Sequence, residues 1–186
     1  MSVIERTAYP RFKSRPSAKE LAELYTPTTE EMGFAQANAR GKSGVLRLLV
    51  MLKSFQRLGY FPQPQLVPLF VVQHLRSILK LPDSRAVIPP PASRYRYEQA
   101  IRDYLKVKPY DRNAHKLAAL AITAAAEVKD HPADLINIAI EELVKQRYEL
   151  PAFSTLDRLA GNPLNCQYPP ISSCLGKLIG RRANLP

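Results

Sequence analysis

Proline placement is the feature that most constrains how this chain can fold. The sequence holds seventeen prolines and only seven glycines in 186 residues, and the prolines concentrate outside the segments in which apolar residues recur every three or four positions. Proline lacks an amide hydrogen and clashes with the preceding turn, so it is excluded from helix interiors. The apolar segments between prolines are therefore predicted to be helices, and the fold class is predicted to be all-α.

A proline-rich stretch divides the chain. Four prolines lie within Leu81–Ser93, where they prevent a helix and favour a semi-rigid linker. The length suits one domain or two small ones. We predict two small helical modules at residues 1–82 and 94–161, joined by a linker at 83–93 and followed by an irregular tail at 162–186.

Capping signals predict where the helices begin and end. Ser17 and Glu20 have the spacing of a capping box and predict a helix to Tyr25. Thr29 is predicted to cap the next helix, and Gly41 to end it. Further helices are predicted from Ser43 to Leu58 with Gly59 after it, from Pro68 to Leu81, from Tyr95 onward, around Leu117 to Ala124, from Asp130 or His131 to near Tyr148, and from Ser154.

One long interval is basic and free of acids. No acidic residue occurs between Glu31 and Asp83, whereas the interval holds Arg40, Lys42, Arg47, Lys53, Arg57, Arg76 and Lys80. Because these charges accompany helix-length apolar segments, they indicate a folded surface for an anionic partner, with nucleic acid favoured. Arg47, Lys53 and Arg57 are predicted to project opposite the core stripe of their helix or to border a groove, as phosphate contacts. A solvated basic face remains the alternative.

A second basic region follows the linker and is interleaved with tyrosines. Its cations are Arg94, Arg96, Arg102, Lys106, Lys108, Arg112 and Lys116, and its tyrosines are Tyr95, Tyr97, Tyr104 and Tyr110. Arginine with tyrosine suits contacts with phosphates, sugars and bases. Acidic neighbours dilute the charge, however, and tyrosines at helical spacing also occur in cores, so both interpretations stay open.

The end of the second module has the outline of a helix-turn-helix. Pro151 forces a turn after a long predicted helix, and Ser154 with Asp157 is predicted to cap a short one. In that motif the second helix enters the major groove with its N-terminal residues foremost. Ser154, Thr155 and Arg158 are then the groove-facing candidates, although any two packed helices joined by a proline turn give a similar pattern.

Several classes of protein are disfavoured. No apolar run approaches the roughly 20 residues needed to cross a bilayer, and the first sixteen residues lack the apolar core of a signal peptide, so we expect a cytoplasmic protein. Cys166 and Cys174 have no metal-binding spacing around them, and we expect no metal and no cofactor. No nucleophile and base set and no carboxylate cluster stands out, so we expect no catalysis.

The succession of motifs resembles the N-terminal region of the TnpA family, the cointegrate-forming transposases of class II replicative transposons (the Tn-three family). The resemblance covers roughly residues 10–160 and rests on Tyr25-Thr26-Pro27-Thr28-Thr29-Glu30-Glu31, Phe55-Gln56-Arg57-Leu58-Gly59-Tyr60-Phe61-Pro62, Val67-Pro68, Gln73-His74-Leu75, Tyr95-Arg96-Tyr97, Ile101-Arg102-Asp103-Tyr104-Leu105, Pro109-Tyr110, Leu150-Pro151 and Ser154-Thr155-Leu156-Asp157-Arg158-Leu159. It implies a helical region that binds the terminal inverted repeats of a transposon as double-stranded DNA, and a bacterial, nucleoid-associated location.

The chain also departs from that family. Its transposases are several times longer and use a downstream domain whose acidic residues hold divalent metal, which these 186 residues do not contain, so the resemblance implies no catalysis by this chain alone. From Asn162 onward the sequence differs, and we expect a truncated or frameshifted gene copy.

The resemblance leaves several partners open. We expect self-association or association with a full-length transposase. The alternative function is a helical module that binds transposase or accessory proteins and modulates their assembly without contacting DNA. RNA binding is a third option, without the aromatic platform that single-stranded RNA usually needs.

Overall fold

The computed structural model describes residues 3–82 and 91–161, and this part of the chain is all-helical, as predicted. Its described residues form two compact units, one within residues 10–107 and the other within residues 1–9 and 108–161. We call the first the basic unit, since it holds sixteen Lys and Arg against seven Asp and Glu. The second is called the alanine unit, after the alanines that it buries.

The helices are α1 (Ala18–Tyr25), α2 (Thr29–Asn38), α3 (Gly41–Leu58), α4 (Leu69–Ile78) and α5 (Pro91–Leu105) in the basic unit, and α6 (Arg112–Ala125), α7 (Pro132–Lys145) and α8 (Phe153–Gly161) in the alanine unit.

The first two helices begin with capping boxes. At α1, as predicted, the Ser17 hydroxyl accepts from the Glu20 amide at 3.2 Å, and the Glu20 carboxylate accepts from the Ser17 amide at 2.9 Å. At α2 the cap is Thr28, and the prediction of Thr29 was wrong by one position. The Thr28 hydroxyl accepts from the Glu31 amide at 3.2 Å, and the Glu31 carboxylate accepts from the Thr28 amide at 2.8 Å, which completes the box.

Glycines mark both ends of α3. Gly41 was predicted to end α2, but α2 ends at Asn38 and Gly41 is the first residue of α3. Its φ of 67° lies in the left-handed region, which glycine adopts without steric cost. At the other end Gly59, with a φ of 72°, donates its amide to the Phe55 carbonyl at 2.7 Å and closes the helix as predicted.

Helix α3 is the centre of the basic unit. Eleven of its eighteen residues are buried, so it is surrounded on several sides. The cluster around it includes Leu48, Leu49 and Leu52 from α3, Val71 and Leu75 from α4, and Tyr97 and Ile101 from α5. Helix α5 therefore packs with the basic unit. The units divide between residues 107 and 108, and the boundary predicted at 83–93 does not coincide with that division. The reason is that Tyr97 and Ile101 of α5 are buried in the cluster around α3. Residues 83–90 of the predicted linker lie outside the described residues.

The alanine unit has a core of smaller side chains. Four alanines and Ile122 are buried on α6, and they pack with α7, which buries Leu135, Ile136, Ala139, Ile140 and Leu143. Alanine carries only a methyl group, so the two helix backbones can approach closely. Leu156 and Ala160 of α8 are also buried.

Residues near the start of the chain contribute to the alanine unit. The Tyr9 hydroxyl donates to the Pro151 carbonyl at 2.8 Å, and the Tyr9 ring meets the Phe153 ring edge-on with centroids 5.4 Å apart. An isolated parallel bridge between Lys108 and Tyr148 adds two backbone hydrogen bonds of 2.8 and 2.9 Å. These contacts fix the segment that precedes α8.

None of the described helices is both long enough and apolar enough to cross a bilayer. The predicted tail at 162–186, including Cys166 and Cys174, lies outside the described residues.

Candidate nucleic-acid interface

The N-terminus of α3 is an exposed positive end. Arg40 is its N-cap and makes no side-chain capping bond, and the first turn holds no acid. Arg40 and Lys42 are both exposed. The first amides of a helix have no partner within the helix, and the helix dipole adds positive potential there. The two side chains thus add full charges to backbone donors that suit an anionic oxygen.

Helix α5 adds a third cation to this end. The Tyr97 hydroxyl lies 3.3 Å from where a Cβ would stand on Gly44, so a larger residue at Gly44 would crowd this close approach. Arg96 precedes Tyr97 on α5 and is exposed, and its guanidinium carbon lies 5.4 Å from the Tyr97 ring centroid. We call Arg40, Lys42 and Arg96 the α3 basic end. None of the three forms an ion pair with a described residue.

Lys53 does not project from α3, and that prediction was wrong. Its ammonium lies 2.7 Å from the Glu31 carboxylate, and only 6% and 7% of the two side chains are exposed. Gln56 donates to the other Glu31 oxygen at 2.7 Å. Lys53 is committed to a buried ion pair and is not available for a phosphate contact.

Opposing effects act on the pKa of Glu31. Burial by itself raises that pKa, but hydrogen bonds from Lys53, Gln56 and the Thr28 amide outweigh it and hold the pKa below its ordinary value. Glu31 is therefore ionised near neutral pH and keeps Lys53 inside the unit. The sequence carries no spacing signal for this pair, because its members lie on different helices.

The other two cations predicted on α3 differ from each other. Arg47 is half-buried and lines a pocket, and its Nε atom is buried without a hydrogen-bond partner among the described residues. Arg57 is exposed in the last turn of α3. Burial raises the pKa of Tyr25, and the positive charge of Arg57 acts against that rise. Only Arg57 keeps the exposed position that the sequence predicted.

Two cations of α5 share one carboxylate. Arg94 Nε lies 2.8 Å from Glu98, and Arg102 approaches the other Glu98 oxygen at 3.8 Å. The Arg102 guanidinium also lies 5.1 Å from the Phe61 ring centroid. Both arginines are half-buried and partly neutralised, so they are weaker phosphate candidates than Arg96.

The tyrosines of α5 have different surroundings. Tyr97 is buried, and Tyr104 stacks on Phe34 with centroids 4.3 Å apart. Tyr95, in contrast, is 71% exposed. The core interpretation of the tyrosine spacing holds for Tyr97, whereas Tyr104 is half-buried against Phe34 and Tyr95 presents its ring to solvent.

Lys106, Lys108 and Arg112 are exposed. The Lys108 ammonium stands 4.8 Å from the Tyr148 ring centroid, a cation–π contact within the alanine unit. Arg112 is the first residue of α6, directly after the capping residue Asp111. A carboxylate at that helix end makes it less favourable for an anion than the α3 basic end.

Helix α8 carries the three predicted groove-facing residues. Ser154 and Arg158 are exposed and Thr155 is half-buried. The helix begins at Phe153, so Ser154 lies in its first turn and the prediction that it caps the helix was wrong. Residues 146–152 separate α7 from α8, a longer connection than the three or four residues usual in a helix-turn-helix.

Local charge on α8 is balanced. Asp157 is exposed next to Arg158. Burial raises the pKa of Tyr110 to about 12, and the charge of Arg158 acts against that shift.

Within the described ranges 3–82 and 91–161, no three His, Cys, Asp or Glu side chains come together to hold a metal ion.

A family model described as a domain of unknown function, DUF4158, matches residues 1–162. No curated protein and no solved structure matches the chain.

Proposed function

The chain belongs to the DUF4158 domain family, and from that premise we propose that it is a module that binds double-stranded DNA at the terminal inverted repeats of a transposon. The family is associated with the N-termini of Tn-three-family transposases, which supports the resemblance to TnpA. In this proposal the chain recognises transposon ends and leaves strand transfer to another protein or domain.

The observation that carries the proposal is the α3 basic end. Arg40 and Lys42, exposed and without described carboxylate partners, lie at the N-terminus of an eighteen-residue helix that has no side-chain cap. The exposed Arg96 lies on α5 next to Tyr97, whose hydroxyl approaches Gly44 of that helix. Phosphate oxygens are favoured at such an end by both the backbone amides and the dipole. The position is fixed by the Tyr97–Gly44 contact, so the cations are held on a packed scaffold.

Charge distribution assigns different contacts to the two units. The basic unit carries a net charge of +9, whereas residues 108–161 hold seven Lys and Arg against eight Asp and Glu. Phosphate binding therefore belongs chiefly to the basic unit. Ser154, Thr155 and Arg158 are proposed for base contacts, which need hydrogen-bonding side chains and little net charge.

Binding should depend steeply on salt. A module that contacts six to ten phosphates loses about three to five decades of affinity between 50 and 200 mM salt, because counterions are released from the DNA. We would measure fluorescence anisotropy of a duplex carrying the terminal inverted repeat of the parent element, against a scrambled duplex of equal length, across a salt series. A preference for the repeat that survives 200 mM salt is the expected result; equal affinity for both duplexes would contradict end recognition.

A matched pair of variants tests the site. Replacing Arg40, Lys42 and Arg96 by Gln should weaken binding to both duplexes and lower the slope of log affinity against log salt by about 2 to 3, at about 0.9 per phosphate. The control replaces Lys13, Lys19 and Lys145 by Gln. It removes the same charge from lysines that already face Glu20, Glu23 and Glu142. Equal effects of the two triple variants would show that only net charge matters.

The alternative function, a helical module that binds transposase or accessory proteins, is favoured by one observation. Leu66 and Leu69, three positions apart before and at the start of α4, are 66% and 65% exposed. Exposed neighbouring leucines suit a protein contact. Absence of DNA binding at low salt, together with loss of a protein partner on replacing both leucines by Ser, would favour this alternative.

A further inference from the structure

The basic unit contains a pocket that DNA binding does not use. One wall is α3, and the others come from α4, α5 and the segment between α3 and α4. The lining is mainly apolar and includes Met51, Phe61 and Val72, and the space, with its open mouth, measures about 470 Å³. Small-molecule sites typically have such a lining, apolar with a few polar groups.

Two polar side chains interrupt the apolar wall of α3. Arg47, Val50, Met51 and Ser54 all line the pocket, and their spacing of three, four and seven residues places them on one helix face. Arg47 Nε and Ser54 Oγ are both buried without a hydrogen-bond partner among the described residues. Ser54 is fully buried. Buried polar atoms are rarely left unpaired, so a missing partner at this wall is indicated.

Charge in the pocket is unbalanced. Arg94 also lines it but is already bound, through Nε to Glu98 at 2.8 Å and through Nη2 to the Pro62 carbonyl at 3.4 Å. Arg47 forms no ion pair with any residue in the described parts of the chain. A half-buried guanidinium beside apolar walls is poorly hydrated, and an anion that displaces the remaining water would be favoured.

We propose that this pocket binds a small amphipathic carboxylate, with its carboxylate paired to Arg47 and its apolar body against Met51, Phe61 and Val72. A DNA phosphate does not fit this role, because its polar backbone would leave the apolar walls uncovered.

The test titrates the full chain with octanoate, with octanol as a probe of the same length without charge, and with acetate as a probe of the head alone. Chemical shifts of the Val50, Met51 and Ser54 amides would report the site. Octanoate should bind at least about tenfold more tightly than either control, because a hydrogen bond to a charged group is stronger than one to a neutral group. No shift at millimolar octanoate, or equal affinity for octanol, would overturn the proposal.

Variants of two arginines on α3 sharpen the test. Arg47→Met keeps an unbranched side chain and removes the charge, so octanoate affinity should fall about tenfold or more. Arg57→Met removes an exposed charge outside the pocket and should leave octanoate affinity unchanged. Equal loss in both variants would contradict the pairing with Arg47. If Arg47→Met fails to fold, the comparison of octanoate with octanol on the unaltered chain decides. DNA is absent from these titrations, so they can fail without affecting the proposed function.

Discussion

The basic unit and the alanine unit are both helical, yet they differ in what they bury. The basic unit places a Glu31–Lys53 ion pair among large side chains such as Leu48, Leu52 and Phe55. The alanine unit packs α6 on α7 through methyl groups and aliphatic side chains, and every buried residue described in it is apolar. Charge follows the same division, with a net of +9 in the basic unit and near neutrality over residues 108–161. The two units are thus alike in secondary structure, but the basic unit has a buried ion pair and a net positive charge, whereas the alanine unit has an apolar core and little net charge.

The largest expected effect comes from the buried pair. Lys53→Met should lower the free energy of unfolding by about 3–5 kcal/mol, because the Glu31 carboxylate stays buried without its cation. Urea unfolding followed by circular dichroism would measure this. Adding Glu31→Gln should recover part of the loss. Lys13→Met, at an exposed pair, should cost much less, because solvent screens the Lys13–Glu20 attraction. A similar cost for both lysines would remove the distinction between the two pairs.

The alanine unit should respond to side-chain volume. Ala118 on α6 is fully buried, so Ala118→Leu should force α6 away from α7 and destabilise the chain by about 1–3 kcal/mol. Ala124 is exposed on the same helix, and Ala124→Leu should change stability by no more than about 0.5 kcal/mol. Thermal or urea unfolding of the two variants would compare them. If Ala118→Leu is tolerated as well as Ala124→Leu, the close approach of these helices is not what the alanines provide.

Arg40→Asp should separate stability from function. Aspartate at position 40 places a negative charge beside the positive end of the α3 dipole and should stabilise the basic unit by about 0.3–1 kcal/mol. The same change removes a cation from the α3 basic end and adds an anion, so DNA affinity should fall. Unfolding and anisotropy measurements on the same sample would test both signs. A rise in both quantities would exclude the N-terminus of α3 as a phosphate site.

The smallest expected effect is on acid titration. Hydrogen bonds from the Lys13 side chain and from Ser17 lower the pKa of Glu20 to about 2. A depressed carboxyl pKa contributes stability that is complete above the ordinary value of 4.5 and is lost as the pH falls towards 2. Lys13→Ala should raise the Glu20 pKa towards 4.5, measured from its side-chain carboxyl carbon shift. The Glu31 pKa should not move, since Lys53 supplies its cation.

The sequence predicted the helices well where capping chemistry is local. Ser17 with Glu20 and the C-terminal Gly59 were identified from three or four neighbouring residues, and both occur in the structure. The error at Thr29 came from two adjacent threonines, of which only Thr28 has a glutamate three residues on. Gly41 was assigned to the wrong helix because a glycine with positive φ most often follows the C-terminus of a helix. Here it is the first residue of α3.

The candidate site was predictable only in part. A count of charges identified the acid-free interval and hence Arg40 and Lys42, which are exposed. Spacing along α3 could not reveal that Lys53 would be buried, because its partner Glu31 lies on α2. The pocket was missed for the same reason, since Arg47 and Ser54 are completed by residues of α4, α5 and a connecting segment.

Sequence alone determined the helical class, the capping box at Ser17 and Glu20, the terminal Gly59 and the excess of positive charge, because each depends on residue type or on neighbours within one or two turns. Tertiary structure decided which cations are exposed, which unit α5 joins, and where unpaired polar atoms meet apolar walls. Those outcomes depend on contacts between residues far apart in the chain, and helical periodicity places a side chain on a face without specifying what packs against that face.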